Sequence, residues 1–244
     1  MKKLLILFMT VLLALPGFSQ FSVGPRLGVN FAKITGKYNK DDDSKGGWIT
    51  GLEFGAVGNY EFSDMISLTA ELLFITDGDK TSFNVSDGEK STLSSEYDYK
   101  FSERYHYMQL PVLVKFVFGS DFQFYGNLGP YFGYKIGGHY KTNFDNNTTK
   151  GRIRFKKDKV KDDDWYQDPK DYRRFDLGMY LGGGVQKQVG PGKLGADLRF
   201  GMGFLDTNKF DSKDDKQNAK DNGYKSFRNM NISLTLTYMY DLSK

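Results

Sequence analysis

Ser226–Leu242 reads SFRNMNISLTLTYMYDL, and its alternation decides the fold class. From Met230 every even position is apolar or aromatic: Ile232, Leu234, Leu236, Tyr238, Tyr240 and Leu242. Asn231, Ser233, Thr235, Thr237 and Asp241 occupy the odd positions, with Met239 the exception. A period of two is the pattern of an extended strand with one greasy and one wet face. Its length suits a tilted strand that crosses a bilayer and emerges with aromatics at the interface.

Working outward, the pattern recurs. About eight strands are predicted, at roughly 21–34, 48–62, 65–76, 105–118, 122–137, 173–189, 193–205 and 227–242. In the third, Ile66, Leu68, Ala70, Leu72 and Phe74 share a face opposite Ser67, Thr69 and Glu71. In the seventh, Leu194, Ala196, Leu198, Phe200, Met202 and Phe204 stand opposite Asp197 and Arg199. Ser63-Asp64, Gly119-Ser120-Asp121 and Gly190-Pro191-Gly192 read as tight hairpin turns. The other connections, 35–47, 77–104, 138–172 and 206–226, are long and polar. Short turns on one side and long loops on the other predict an all-β, antiparallel up-and-down barrel of about eight strands spanning an outer membrane. The short turns are then periplasmic and the loops extracellular. An even strand number puts both termini in the periplasm.

A soluble ligand-binding barrel would alternate too, with its apolar face inside. Two features decide for the membrane. The polar face carries too many charges (Arg26, Glu53, Glu71, Lys115, Asp176, Asp197, Arg199) for an apolar cavity. The apolar face is flanked by two aromatic girdles: Phe21, Tyr60, Phe62, Phe116, Phe118, Phe122, Phe124, Tyr238 and Tyr240 at the short-turn side, and Phe31, Trp48, Phe74, Phe132, Tyr134, Phe175 and Phe204 at the other. Pro25, Pro111 and Pro130 fall inside strands, where a missing ladder donor predicts bulges or local kinks.

Composition agrees. The chain has 244 residues with Gly 28, Tyr 16 and Phe 21. Mean hydropathy is −0.53, and beyond the N-terminus no apolar run approaches a membrane helix of about 20 residues. Met1–Ser19 reads as a secretory signal, with Lys2 and Lys3 before the apolar Leu4–Leu15 and cleavage expected after Ser19; residues 20–244 form one barrel domain. Cys 0 excludes disulfides, a cysteine lipid anchor and thiolate metal sites. The net charge of +4 is a near-balance of many acids and bases, which argues against nucleic acid.

Tyr107-Met-Gln-Leu-Pro-Val-Leu-Val-Lys-Phe116 resembles the Y-(I/L)-E-(I/L)-P-(L/V)-L-(L/V)-K-(Y/F) strand of the PorT-like small outer-membrane barrels. Gly129-Pro130-Tyr131-Phe132-Gly133, Phe175-Asp176-Leu177-Gly178 with Gly182-Gly183-Gly184, and the start Val23–Asn30 resemble that family's other strands. Gln109 departs from the usual Glu, as does the tail Asp241–Lys244 after the last aromatic. The resemblance implies a barrel; a part in protein secretion, known for the namesake, does not transfer with a fold.

Chemistry-bearing residues are few. Arg26, Glu53, Glu71, Lys115, Asp197 and Arg199 are expected as a charge network inside the barrel, which eight strands leave just wide enough for side chains to fill. His106 and His139, the two histidines, fall near the long-loop ends of neighbouring strands, with Asp98, Glu103 and Asp145 nearby, but no nucleophile motif accompanies them, so no catalytic site is expected. Asp41-Asp42-Asp43 and Asp162-Asp163-Asp164 lack the D-x-D/N-x-D/N-G spacing of a calcium loop, so neither metal nor cofactor is expected. Arg152, Arg154, Lys156, Lys157, Trp165 and Tyr166 mix cations with aromatics and suit outer-leaflet phosphates or a partner protein. Ile153 and Phe155 alternate with Arg152, Arg154 and Lys156, which predicts that the fifth and sixth strands extend as a hairpin. The expected role is non-enzymatic, an envelope-structural or interaction protein. Porin-like passage of small solutes and service to a secretion apparatus are the alternatives. Expected partners are outer-membrane lipid and lipopolysaccharide, the barrel-assembly machinery during insertion, and a protein at the outer loops. The chain is expected to be a monomer.

Overall fold

Alternating sequence becomes alternating exposure in the computed structural model, which describes residues 21–37, 45–85, 97–144, 147–156, 161, 164–168 and 171–242. The expected secretory signal, Met1–Ser19, lies outside the described residues, as do Asp41–Asp43, Asp145, Asn146, Lys157, Asp162 and Asp163. The strands are β1 (Phe21–Lys37), β2 (Lys45–Gly47), β3 (Ile49–Glu61), β4 (Ile66–Val85), β5 (Tyr97–Phe118), β6 (Phe122–Phe144), β7 (Asn147–Arg154), β8 (Trp165–Tyr166), β9 (Phe175–Val189), β10 (Gly192–Gly203) and β11 (Lys225–Asp241). A helix, α1 (Lys213–Asp221), lies between β10 and β11.

Eight of these strands close a ring. β1 pairs with β3, β3 with β4, β4 with β5, β5 with β6, β6 with β9, β9 with β10, β10 with β11, and β11 returns to β1, all antiparallel. Closure leaves no sheet edge along the wall. The short turns fall at 62–65, 119–121 and 190–191. Gly190 opens the two-residue turn at φ 61, a conformation that favours glycine.

The wall is inside-out relative to a soluble barrel. Leu27 is 63% exposed, Leu198 57% and Leu236 60%, whereas Arg26 is 2% exposed, Glu71 1% and Arg199 5%. A continuous apolar exterior of this kind belongs against lipid. The row Phe54–Phe74–Met108–Tyr134–Phe175, aromatic but for Met108, runs across five neighbouring strands near the long-loop end of this belt.

The bulges expected at the three prolines are absent. Pairing runs unshifted through Pro25, opposite Ala56, through Pro111, opposite Tyr131, and through Pro130, opposite Met179. Each proline withdraws one donor from one side of its strand, and the other ladder keeps the register. Shifts occur instead between Thr35 and Lys37 and between His106 and Tyr107, towards the long-loop end.

Much of the expected long loop 77–104 is strand. β4 and β5 continue as a paired ribbon from Asp77–Tyr105 to Val85–Tyr97. The hairpin expected around Ile153 is β6–β7, paired from Gly138–Ile153 to Phe144–Asn147. β2 joins the β4 extension, and β8 runs parallel to β7.

Candidate functional site

Three tiers of inward side chains fill the lumen. The lowest lies near the short turns. There the Lys115 ammonium donates to Gln186 Oε1 at 2.5 Å and sits 3.9 Å from the centroid of the Tyr125 ring. Gln186 donates in turn to Gln123, and Thr69 Oγ1 donates to Asn59 Oδ1 at 3.0 Å. Free space at this level, bounded by residues including Asn59, Lys115 and Tyr125, is about 30 Å³, room for about one water.

Above it lies the charge network. Strand pairing brings Arg26 of β1, Glu53 of β3, Glu71 of β4, and Asp197 and Arg199 of β10 to one level. Arg26 Nε donates to Glu53 Oε1 at 2.8 Å and its Nη2 to Asp197 Oδ1 at 2.8 Å, with Glu71 3.8 Å from Nη1. Arg199 grips Glu71 through two bonds of 2.8 Å, and its Nε lies 2.7 Å from Asp197 Oδ1. Asn127 Nδ2 donates to Asp197 Oδ2 at 2.8 Å. Two guanidiniums thus face three carboxylates, and bidentate geometry locks the cross-lumen contact. Of the six interior charges expected from sequence, five meet here. Lys115 belongs to the tier below, bound to an amide and a ring.

The upper tier is aromatic and amide-rich. The Tyr131 hydroxyl donates to Asp176 at 3.0 Å, Asn229 donates to Asp176 and to the Tyr107 hydroxyl, and Tyr180 donates to Gln109 at 2.7 Å. Asn30 donates to Asp77 at 2.7 Å. Glycine makes room for these rings: a Cβ on Gly178 would stand 2.4 Å from Tyr131, and one on Gly201 2.5 Å from Tyr180. Sequence reading missed this, although small residues opposite large ones on one face were the available signal.

A cap closes the long-loop end. Ile75, Tyr105, Tyr107, Ile153 and Phe155 form a buried cluster, with Ile34, Tyr140 and Trp165 packed against it. Lys135 lies 3.7 Å from the Tyr105 ring centroid, and Gln167 donates to the Tyr105 hydroxyl at 2.6 Å.

The loop residues singled out from sequence divide. Trp165 turns into the cap, against Phe101 and Tyr140. Arg154 Nε donates to Asp164 at 2.9 Å. Burial alone would raise the Asp164 carboxyl, but Arg154 and the main-chain N–H groups of Lys161 and Arg152 hold it below the usual carboxylate range. Tyr166 is half-buried, and Arg152 and Lys156 are exposed. In the last connection Ser212 caps α1 by accepting from the Asp215 N–H at 3.0 Å, and Arg173, Phe210, Lys213 and Lys216 help line a surface groove of about 400 Å³ beside it.

The histidines meet on the outer surface, where His106 Nε2 is 3.2 Å from His139 Nδ1, and His106 Nδ1 is 3.2 Å from Thr76 Oγ1. Glu103, the acid expected nearby, accepts from Tyr105 instead. Among the described residues no group of three or more His, Asp or Glu is placed to hold a metal ion.

Residues 16–209 match the family described as outer membrane protein beta-barrel domain. The chain belongs to that family. It is therefore an outer-membrane β-barrel protein, in keeping with its closed ring and apolar exterior. Comparison with curated protein sequences finds no match. Among solved structures, Ail of Yersinia pestis is 14% identical, covering 91% of this chain and 99% of its own, with a TM-score of 0.36. Neisserial surface protein A gives 11%, 91%, 97% and 0.36, and OprG of Pseudomonas aeruginosa gives 10%, 91%, 95% and 0.40.

Proposed function

We propose that this outer-membrane barrel is a non-conducting, non-enzymatic protein with an envelope-structural or interaction role, which it performs through its long-loop end outside the cell. The observation that carries this reading is the filled lumen, blocked in series by the Arg26–Glu53–Glu71–Asp197–Arg199 network and by the Ile153–Phe155 cap. A hydrated ion could pass only by breaking paired buried charges, each several kcal/mol costly to leave unpaired (roughly, by the usual desolvation penalty). The histidine pair lies outside the lumen, with neither a serine nor a carboxylate bonded to it among the described residues.

On this reading Met1–Ser19 is removed on export, both termini face the periplasm, the barrel-assembly machinery inserts the chain as a monomer, and lipopolysaccharide surrounds its upper rim. The PorT-like motif at Tyr107–Phe116 supports the finer kinship, which does not by itself carry the namesake's part in secretion; that role is the alternative. Planar-bilayer recording of the folded full chain tests the central claim. The expected result is no steady single-channel current and no swelling of sugar-loaded liposomes. Robust conductance would overturn it and favour a porin. Pull-down from native membranes tests the secretion link.

A further inference from the structure

Outward side chains of the β4–β7 extension stack into rows above the aromatic belt. Going up from the Phe74–Met108–Tyr134 row, Thr76 and His106 are paired next. The row above runs Gly78–Arg104–His139–Arg152, each residue directly opposite the next across four strands. Lys80–Ser102–Lys141–Lys150 follows by the same pairings. Lys80, Arg104, His139, Lys141, Lys150 and Arg152 are all exposed.

The acids of this region are engaged elsewhere. Glu103 accepts from Tyr105, Asp79 accepts from Thr81, and Asp164 is held by Arg154. Among the described residues none of the five Lys and Arg side chains has a carboxylate partner.

Height supplies the occupant. From Met108 to Arg104 is four residues, about 13 Å of strand at about 3.3 Å each, and about 10 Å vertically at a barrel tilt of about 40°. The polar layer of a leaflet is about 5–8 Å thick, so a side chain anchored there and reaching down meets lipid phosphates. The same face is lipid-contacting immediately below, through Phe74 and its stacked neighbour Phe54 at 5.0 Å. Neighbouring strands lie about 4.8 Å apart, which lets Arg104 and Arg152, two strands apart, straddle one phosphate or clamp two.

We propose that this outward face, built on Arg104–His139–Arg152 with Lys80, Lys141 and Lys150 above, docks the phosphate groups of outer-leaflet lipid. It rests on the orientation proposed above, with the long-loop end outside. Guanidinium pairs donate in a fork that matches phosphate oxygens, and the lysines add charge that salt screens.

The test uses the full chain folded in an uncharged maltoside detergent, with bis-phosphorylated lipid A and its dephosphorylated counterpart as probes. The phosphorylated lipid is expected to bind at least tenfold more tightly, with affinity falling as salt rises. Arg104→Gln/Arg152→Gln is expected to abolish that preference, and Lys213→Gln/Lys216→Gln on α1 to retain it. Equal affinity for the two lipids, an unaltered Arg104→Gln/Arg152→Gln variant, or full displacement by millimolar inorganic phosphate would overturn the proposal. Heat-modifiable gel mobility certifies each variant's fold; should the arginine pair misfold, Lys141→Gln/Lys150→Gln on the outer row must weaken binding in its place. Because the protein is purified, binding does not depend on orientation in the cell. Protease access to the long loops in intact cells tests orientation separately.

Discussion

Removing the Arg199 side chain would test the ion-paired lumen most directly. Arg199 donates twice to Glu71 and approaches Asp197, while Arg26 holds Glu53 and Asp197. In Arg199→Met, one guanidinium faces three carboxylates, and Glu71 keeps only Arg26 at 3.8 Å. Breaking a buried pair on one side costs about 3–5 kcal/mol. Glu71→Leu leaves Arg199 with Asp197 alone and has a cost of the same order. The double variant Arg199→Met/Glu71→Leu removes both ends and leaves Arg26 bound by Glu53 and Asp197. Apolar replacement of a whole buried pair is often near neutral, so the double variant is expected to be more stable than either single one, with a coupling of about 2–3 kcal/mol. Urea unfolding of the chain in phosphocholine vesicles measures this, with Trp48 and Trp165 as the two tryptophan reporters. Singles that each cost less than about 1 kcal/mol and simply add would refute the reasoning. They would mean that water screens the interior and the network does not block it.

Other perturbations report on separate parts of the molecule. Burial pushes the Asp79 carboxyl, at the base of the β4–β5 extension, up to about 6. A carboxyl whose folded pKa is raised contributes stability below its unfolded value and loses it as pH rises through about 6, so Asp79→Asn should stabilise at pH 8 by about 1 kcal/mol after discounting for solvent. The gain should vanish near pH 4, as read from thermal melts at both values. Gly178→Val places methyl groups where the Tyr131 ring lies, since a Cβ already falls 2.4 Å from it; refolding yield on heat-modifiable gels should collapse, whereas Gly137→Ala, with open space around it, should refold normally. Asp206 accepts from the Tyr224 hydroxyl and from the Phe227 and Asn208 N–H groups. Asp206→Ala should therefore cost about 2 kcal/mol locally and speed proteolysis within 209–223 without lowering the barrel's own unfolding midpoint.

The eight-stranded ring and the direction of its greasy face were legible because a bilayer demands both in each strand separately. In β11, Ile232, Leu234 and Leu236 must meet lipid while Asn231, Ser233 and Thr235 turn inward, so period-two alternation carries the assignment without knowledge of any neighbour. Interior charges could be picked out for the same reason. Outside the bilayer that demand lapses. The β4 extension, Asp77–Val85, has polar residues on both faces for most of its length, so no hydrophobic period marks it as strand, and α1 has no buried residue to reveal it. The cues the helix does carry are short-range: Ser212 before Asp214 and Asp215 at its start, and Lys220 before Asn222-Gly223 at its end. Which charges touch was likewise undecidable from one strand. Arg199 meets Glu71, 128 positions earlier, because shear and closure of the whole ring bring β4 and β10 to one level across the lumen. The registers of β5 with β6 and of β6 with β7 align Arg104, His139 and Arg152, far apart in sequence, into one row. Facing and period follow from local sequence because the solvent imposes them residue by residue, whereas pairing, plugging and surface pattern follow from registers between strands that only the tertiary structure sets.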